Sequence, residues 1–125
     1  MAAEHVLLDT SLLVAATVEE HPRHAASKTY VEGLAVDRTP TCITPQICRE
    51  FMVVLTRAAI GPRSFSVEEA LSALNVWRTS CVLLRENELV FERWLRLVEE
   101  FKVRGKQVHD GYIVAVMLTH GVSRI

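Results

Sequence analysis

The sequence predicts an α/β protein, a three-layer α/β/α sandwich around a central parallel sheet of about four strands. Three observations carry this reading. Short segments that read as strands recur at 5–9, 41–44 and 81–84, with the first part of a fourth at 122–125. Longer stretches with apolar residues at helical spacing separate them. Residues that start or stop helices bracket those stretches. Strands joined through helices pair in parallel through right-handed crossovers, which puts helices on both faces of the sheet.

The run His5-Val-Leu-Leu-Asp9 suits a buried parallel strand ending in an acid. Thr10-Ser11 is positioned to cap a helix over 12–19. A second helix is expected to start near Pro22, a good first-turn residue, and to end around Gly33. Thr41 to Thr44 reads as the second strand, Pro45 opens a helix to about Ala58, and Gly61-Pro62 marks a loop. Ser66 and Glu69 have the spacing of a capping box, which begins a helix to about Trp77. After the third strand, Val90, Trp94, Leu97 and Phe101 trace one helix face, opposite a charged face best read as solvated. Gly105 ends that helix. A last helix is expected from Asp110 to His120, stopped by Gly121 before the fourth run.

A length of 125 residues, half of them hydrophobic and 23% charged, suits one folded domain spanning 1–125. The formal net charge of −1 argues against binding nucleic acid through a general basic surface. It leaves room for a local patch or for bound metal. The start, Met1 to His5, lacks the basic segment and apolar core of a secretory signal. No apolar run approaches the roughly 20 residues needed to span a bilayer. Cys42, Cys48 and Cys81 are an odd set in apolar surroundings, read as reduced core residues of a cytoplasmic protein. A zinc site is the sharper reading, but no paired CxxC or HxxxH spacing supports it.

Three acids stand in apolar company. In an open α/β sheet, ligands bind beyond the carboxyl ends of the strands, where Asp9 is placed. Asp9 is either part of such a site or a helix cap. Glu50 lies three residues from Ile47 and four from Val54, so it borders the buried stripe of its helix. The alternative is a Glu50 that turns outward to pair with Arg49 or Arg57. Asp110 shares a face with Ile113, Val114 and Met117, or serves simply as a helix N-terminal acid. Carboxylates converging within about 5 Å would repel by roughly 3 kcal/mol per pair at an effective dielectric near 20. A divalent cation removes that cost, and hard oxygen donors favour Mg²⁺ or Mn²⁺ over zinc.

Val6-Leu-Leu-Asp-Thr-Ser11, Ile43-Thr-Pro-Gln-Ile-Cys-Arg-Glu50-Phe and His109-Asp-Gly-Tyr-Ile-Val-Ala115, in that order, resemble the PIN-domain family, most closely toxins of the VapBC class. Leu55-Thr-Arg57, His21-Pro-Arg-His24 and Leu118-Thr-His-Gly-Val122 add to the likeness. The resemblance implies an acidic Mg²⁺ or Mn²⁺ site and endoribonuclease activity, with Asp9, Glu50 and Asp110 as metal-binding acids. It gives Thr10 or Ser11 the task of holding a metal-bound water or a phosphate, although Ser11 serves equally as an N-cap. Arg57, seven residues from Glu50 on the same helix face, becomes a candidate phosphate contact, with a surface salt bridge as the plainer role. It also implies an RNA substrate, a cognate antitoxin that covers the site, and a homodimer. Trp77, Phe65, Trp94 and Val103 are apolar positions that suit either an interface or the core. Family members usually continue into a further strand and a fourth acidic segment. The run 122–125 stops short of that segment, and neither Asp37 nor Glu86 is singled out by spacing as a substitute.

That departure motivates a second expectation, a catalytically impaired PIN domain acting as an RNA- or protein-binding module. Metal-dependent RNA cleavage abolished by EDTA separates the two. Aspartyl-phosphate chemistry is disfavoured because Asp9-Thr10-Ser11 lacks the second carboxylate of an Asp-x-Asp pair. A receiver-like domain is disfavoured for want of a nearby acidic pair and a late strand lysine.

Overall fold

The computed structural model describes residues 4–57 and 64–125. The expected helix end at Ala58 and the loop at Gly61-Pro62 lie outside the described residues. Strands β1 (Val6–Leu7), β2 (Thr41–Ile43) and β3 (Val82–Leu83) form a parallel sheet in the order β1-β2-β3. Val6 pairs with Thr41, Leu7 with Cys42, Cys42 with Val82 and Ile43 with Leu83. Helices α1 (Thr10–Thr17) and α2 (His24–Val36) connect β1 to β2, and α3 (Pro45–Thr56) and α4 (Val67–Ser80) connect β2 to β3. Helices α5 (Glu88–Phe101) and α6 (Gln107–His120) follow β3.

The run expected as a fourth strand contributes a single parallel bridge, Arg124 to Val6, with Leu7 N–H donating to the Arg124 carbonyl at 2.8 Å. It lies on the side of β1 away from β2. The chain thus steps one way through β1, β2 and β3, then returns across the sheet. Right-handed crossovers then put α1 to α4 on one face and α5 and α6 on the other. The packing agrees: α1 lies against α2 and α3, α3 against α4, and α5 against α6.

Consecutive strand residues point to opposite faces, and Val6, Leu7 and Leu8 are all at most 1% exposed, so both faces of β1 are covered. Leu13, Ile43, Ile47, Phe51, Leu55, Val90 and Val116 complete the core around them. Phe65, Trp77 and Trp94 pack against this core, and Val103 is half-buried. At the β3 edge, Val82 and Leu83 are exposed.

Capping fixes where the helices begin. The Asp9 side chain, not that of Thr10 or Ser11, caps α1 by accepting from Leu12 N–H at 3.0 Å. Its β-region backbone is what an N-cap requires, and the helix therefore starts at Thr10 and ends at Thr17, short of Glu19. Thr44 caps α3 through Ile47 N–H, with Pro45 in the first turn, and Asn87 caps α5 through Val90 N–H. The Ser66–Glu69 capping box forms with both reciprocal bonds. Helix α2 begins at His24, after Pro22, and runs through Gly33 to Val36. A side chain at Gly33 would meet nothing, so no packing demand marks that glycine as a stop. Helix α4 continues past Trp77 to Ser80, and Trp77 Nε1–H donates to Thr17 Oγ1 at 3.0 Å, tying α4 to α1. Helix α6 begins at Gln107, which leaves Asp110 in its first turn. Gly121 closes it in the left-handed region, at φ 71°. Among the described residues, no helix is long and apolar enough to cross a membrane.

Candidate active site

The carboxyl ends of β1 and β2 run directly into the N-termini of α1 and α3. This junction brings together side chains that are distant in sequence. Thr10, the first residue of α1, donates its hydroxyl hydrogen to Glu50 Oε2 at 2.7 Å. Gln46, one turn earlier than Glu50 on α3, donates from Nε2 to Glu50 Oε1 at 2.9 Å. A second Nε2 contact reaches the His109 carbonyl at 3.3 Å. The half-buried Glu50 carboxylate therefore receives a hydrogen bond on each oxygen and faces the strand ends. Gln46 is itself buried, and its amide ties α3 to the turn that opens α6.

Asp9, Thr10, Ser11, Glu50 and Asp110 line one cavity of about 630 Å³. Its other wall is apolar, built by Ile113, Val114, Met117 and Leu118 of α6 with Val122 and Ile125. Asp9 is half-buried and already uses Oδ1 as the α1 cap; Asp110 is exposed at the rim. Among the described residues, no three His, Cys, Asp or Glu side chains stand close enough together to hold a metal ion as placed. The donors that share the cavity are all hard oxygens, the set that suits Mg²⁺ or Mn²⁺. The residues fit such an ion by chemistry and by common access, with side-chain movement needed to close around it.

Two neighbouring cavities meet this one at Thr10 and Ser11. One of about 560 Å³ adds His21, Arg23 and Arg57, and another of about 530 Å³ adds Gln46, Arg49, Arg57 and His109. Arg57 thus lies beside Thr10 and Ser11, and Arg23 and Arg49 join it in a local basic rim on a chain of net charge −1. Gln46 and Arg23 carried no assigned role on sequence grounds, and Arg49 only that of an alternative partner for Glu50. Gln46 sits one helical turn from Glu50, a spacing that signals contact, but nothing marked its amide as the group facing that acid.

The cysteines stand apart. Burial, and secondarily the nearby Cys81, push the Cys42 thiol from its ordinary 9.0 up to about 11. Burial also raises the Cys48 and Cys81 thiols, and Thr41 Oγ1 donates to Cys81 Sγ at 3.3 Å. All three are free.

The PIN domain family model matches residues 6–125. No curated protein matches the chain in sequence. Among solved structures, VapBC2 from Rickettsia felis, bound to a DNA fragment from its promoter, superposes with a TM-score of 0.69 at 16% identity. That match covers 94% of this chain and 83% of the other. VapC20 of Mycobacterium tuberculosis, a sarcin-ricin loop cleaving toxin, superposes with a TM-score of 0.65 at 20% identity, over 94% of this chain and 84% of the other. At these identities the likeness is one of fold.

Proposed function

Because the chain belongs to the PIN domain family, we propose that it is a divalent-metal-dependent endoribonuclease and the toxin of a type II toxin–antitoxin pair. The observation that carries this reading is the single cavity at the carboxyl ends of the strands that Asp9, Glu50 and Asp110 all line. The fold likeness to a toxin that cleaves the sarcin-ricin loop supports RNA as the substrate.

Asp9, Glu50 and Asp110 would hold Mg²⁺ or Mn²⁺, which when bound polarises a phosphate oxygen and lowers the pKa of a water. The rest falls to this chain's own groups. Thr10 and Gln46 fix both oxygens of Glu50, so the carboxylate is oriented before any ligand arrives. Asp9 keeps its second oxygen for the cavity while the first caps α1. The exposed Ser11 hydroxyl and the Arg57 guanidinium supply donors to the RNA phosphates. Arg23 and Arg49 add charge along the rim, where a polyanion needs it most.

The mouth of the cavity carries exposed apolar side chains, Val114, Leu118 and Ile125. An antitoxin segment laid across them would bury this surface and shut the acids off from RNA. Other exposed apolar groups, such as Val76 and Phe101, leave surface for a homodimer. We assign the protein to the cytoplasm, where free thiols of this kind persist.

A second reading, a catalytically impaired PIN domain that binds RNA or protein, is favoured by one observation: the three acids are not gathered around a common point. Incubation of labelled single-stranded RNA with the protein and Mg²⁺ or Mn²⁺ decides between them. Cutting that EDTA abolishes supports the nuclease; RNA retention without cutting supports the binding module.

A further inference from the structure

Behind Gln46 lies a separate chamber of about 390 Å³, lined by Gln46, Arg49, Glu86, Trp94, His109 and Tyr112, with Val108 at its edge. Its volume falls in the range of about 300–1,000 Å³ typical of small-molecule sites. Glu86 follows β3 at the same carboxyl edge of the sheet as Asp9, yet it does not line the acidic cavity. Its Oε1 is buried and has no hydrogen-bond partner. A buried acceptor left unsatisfied costs free energy, which a donor brought within reach of Glu86 would relieve.

The remaining walls define what that donor belongs to. Trp94 and Tyr112 form a tilted aromatic pair, ring centroids 5.5 Å apart at 59°. Trp94 Nε1–H donates to the Val108 carbonyl at 2.9 Å, which fixes the indole on the α6 entry turn. Tyr112 also brings a hydroxyl to this wall, beside Glu86 and Arg49. Arg49 adds a cation. An acceptor carboxylate, a donor guanidinium and aromatic walls match a nucleobase whose edge has adjacent donors next to an acceptor. Guanine has that edge, with N1–H and the 2-amino group for Glu86 and O6 for Arg49. Gln46 and His109 line this chamber and also border Glu50, so a base held here would belong to a nucleotide next to the acidic cavity.

We propose that this chamber is a guanine-selective base subsite, with Glu86 reading the base and Trp94 and Tyr112 packing against it. The inference rests on the reading of RNA as substrate. Its test is run in EDTA, where cutting cannot occur: short uridine oligonucleotides carrying guanosine at each position in turn are titrated against the whole chain by calorimetry. At one position guanosine should tighten binding about tenfold over adenosine. Inosine, which lacks the 2-amino group, should lose most of that gain on the unaltered protein. Glu86→Gln should abolish the preference with its melting temperature retained, and Asp9→Asn should keep it. Should Glu86→Gln fail to fold, Arg49→Ala replaces it with the same expected loss. Equal binding of all four bases, or a preference that survives Glu86→Gln, overturns the proposal. Absence of metal-dependent cutting alongside an intact guanine preference would count against the nuclease reading alone.

Discussion

Thr10 and Glu50 are 40 residues apart in sequence and 2.7 Å apart across the strand ends, the Thr10 hydroxyl donating to Glu50 Oε2. The bond joins the first residue of α1 to the middle of α3. It fixes one oxygen of the acid while Gln46 fixes the other.

Removing that donor should therefore harm activity more than stability. Thr10→Val leaves Glu50 half-buried with one partner and should cost about 1–2 kcal/mol. RNA cleavage should fall at least about tenfold as Glu50 loses its orientation. Thr10→Ser keeps the hydroxyl and should recover most of both. Urea melts and initial rates on the same three proteins check this.

Asp9 has two separable tasks, and two substitutions divide them. Asn is as good an N-cap as Asp, so Asp9→Asn should melt close to the unaltered protein, whereas Asp9→Ala should lose about 1 kcal/mol. Both should lose Mn²⁺ binding, followed by calorimetry. Retained Mn²⁺ affinity in the folded Asn variant would leave Asp9 as a cap and nothing more.

Arg57 borders Thr10 and Ser11 from two cavities and is exposed. If it contacts phosphate, Arg57→Ala should raise KM for RNA several-fold with kcat little changed. The salt dependence of RNA binding should become shallower by about one released counterion. A fall in kcat at constant KM would place Arg57 in the chemical step instead.

The cysteines set an alkaline limit. In the folded chain the Cys42 thiol titrates near 11 and in the unfolded chain near 9.0. The unfolded state therefore loses its proton first as pH rises. The stability this group contributes is complete below pH 9 and lost as pH climbs towards 11, an effect of about 2 kcal/mol. The raised Cys48 and Cys81 thiols act in the same direction. Urea midpoints at pH 8 and pH 10.5 measure it, and a thiol reagent at pH 8 should label Cys42 only after unfolding.

The order of elements was legible because burial on both sheet faces leaves a mark in the chain. Val6, Leu7 and Leu8 form an unbroken apolar run, and Ser66 and Glu69 show their capping box in spacing alone. Element boundaries were less legible because neighbouring residues compete for one role. Asp9, Thr10 and Ser11 can all cap a helix, and only the backbone angle at Asp9 decides among them. Gly33 looks like a stop but stays helical, and Val122 is buried in the core while Arg124 makes the bridge from its run to the sheet. At the candidate site, the common cavity of Asp9, Glu50 and Asp110 follows the strand-end rule and the ordered motifs. The amide of Gln46 and the chamber around Glu86 depend on side-chain directions between α3, α5 and α6, and no periodicity in one segment encodes those.

The most direct measurement is the single-turnover cleavage rate of a labelled single-stranded RNA in Mn²⁺, for the unaltered chain and for Asp9→Asn, each repeated in EDTA. A metal-dependent nuclease that uses Asp9 requires cutting by the unaltered chain, a rate at least about a hundredfold lower in Asp9→Asn, and no cutting in EDTA. Equal rates in the two proteins, or a folded chain that binds RNA and leaves it whole at every metal concentration, would contradict it.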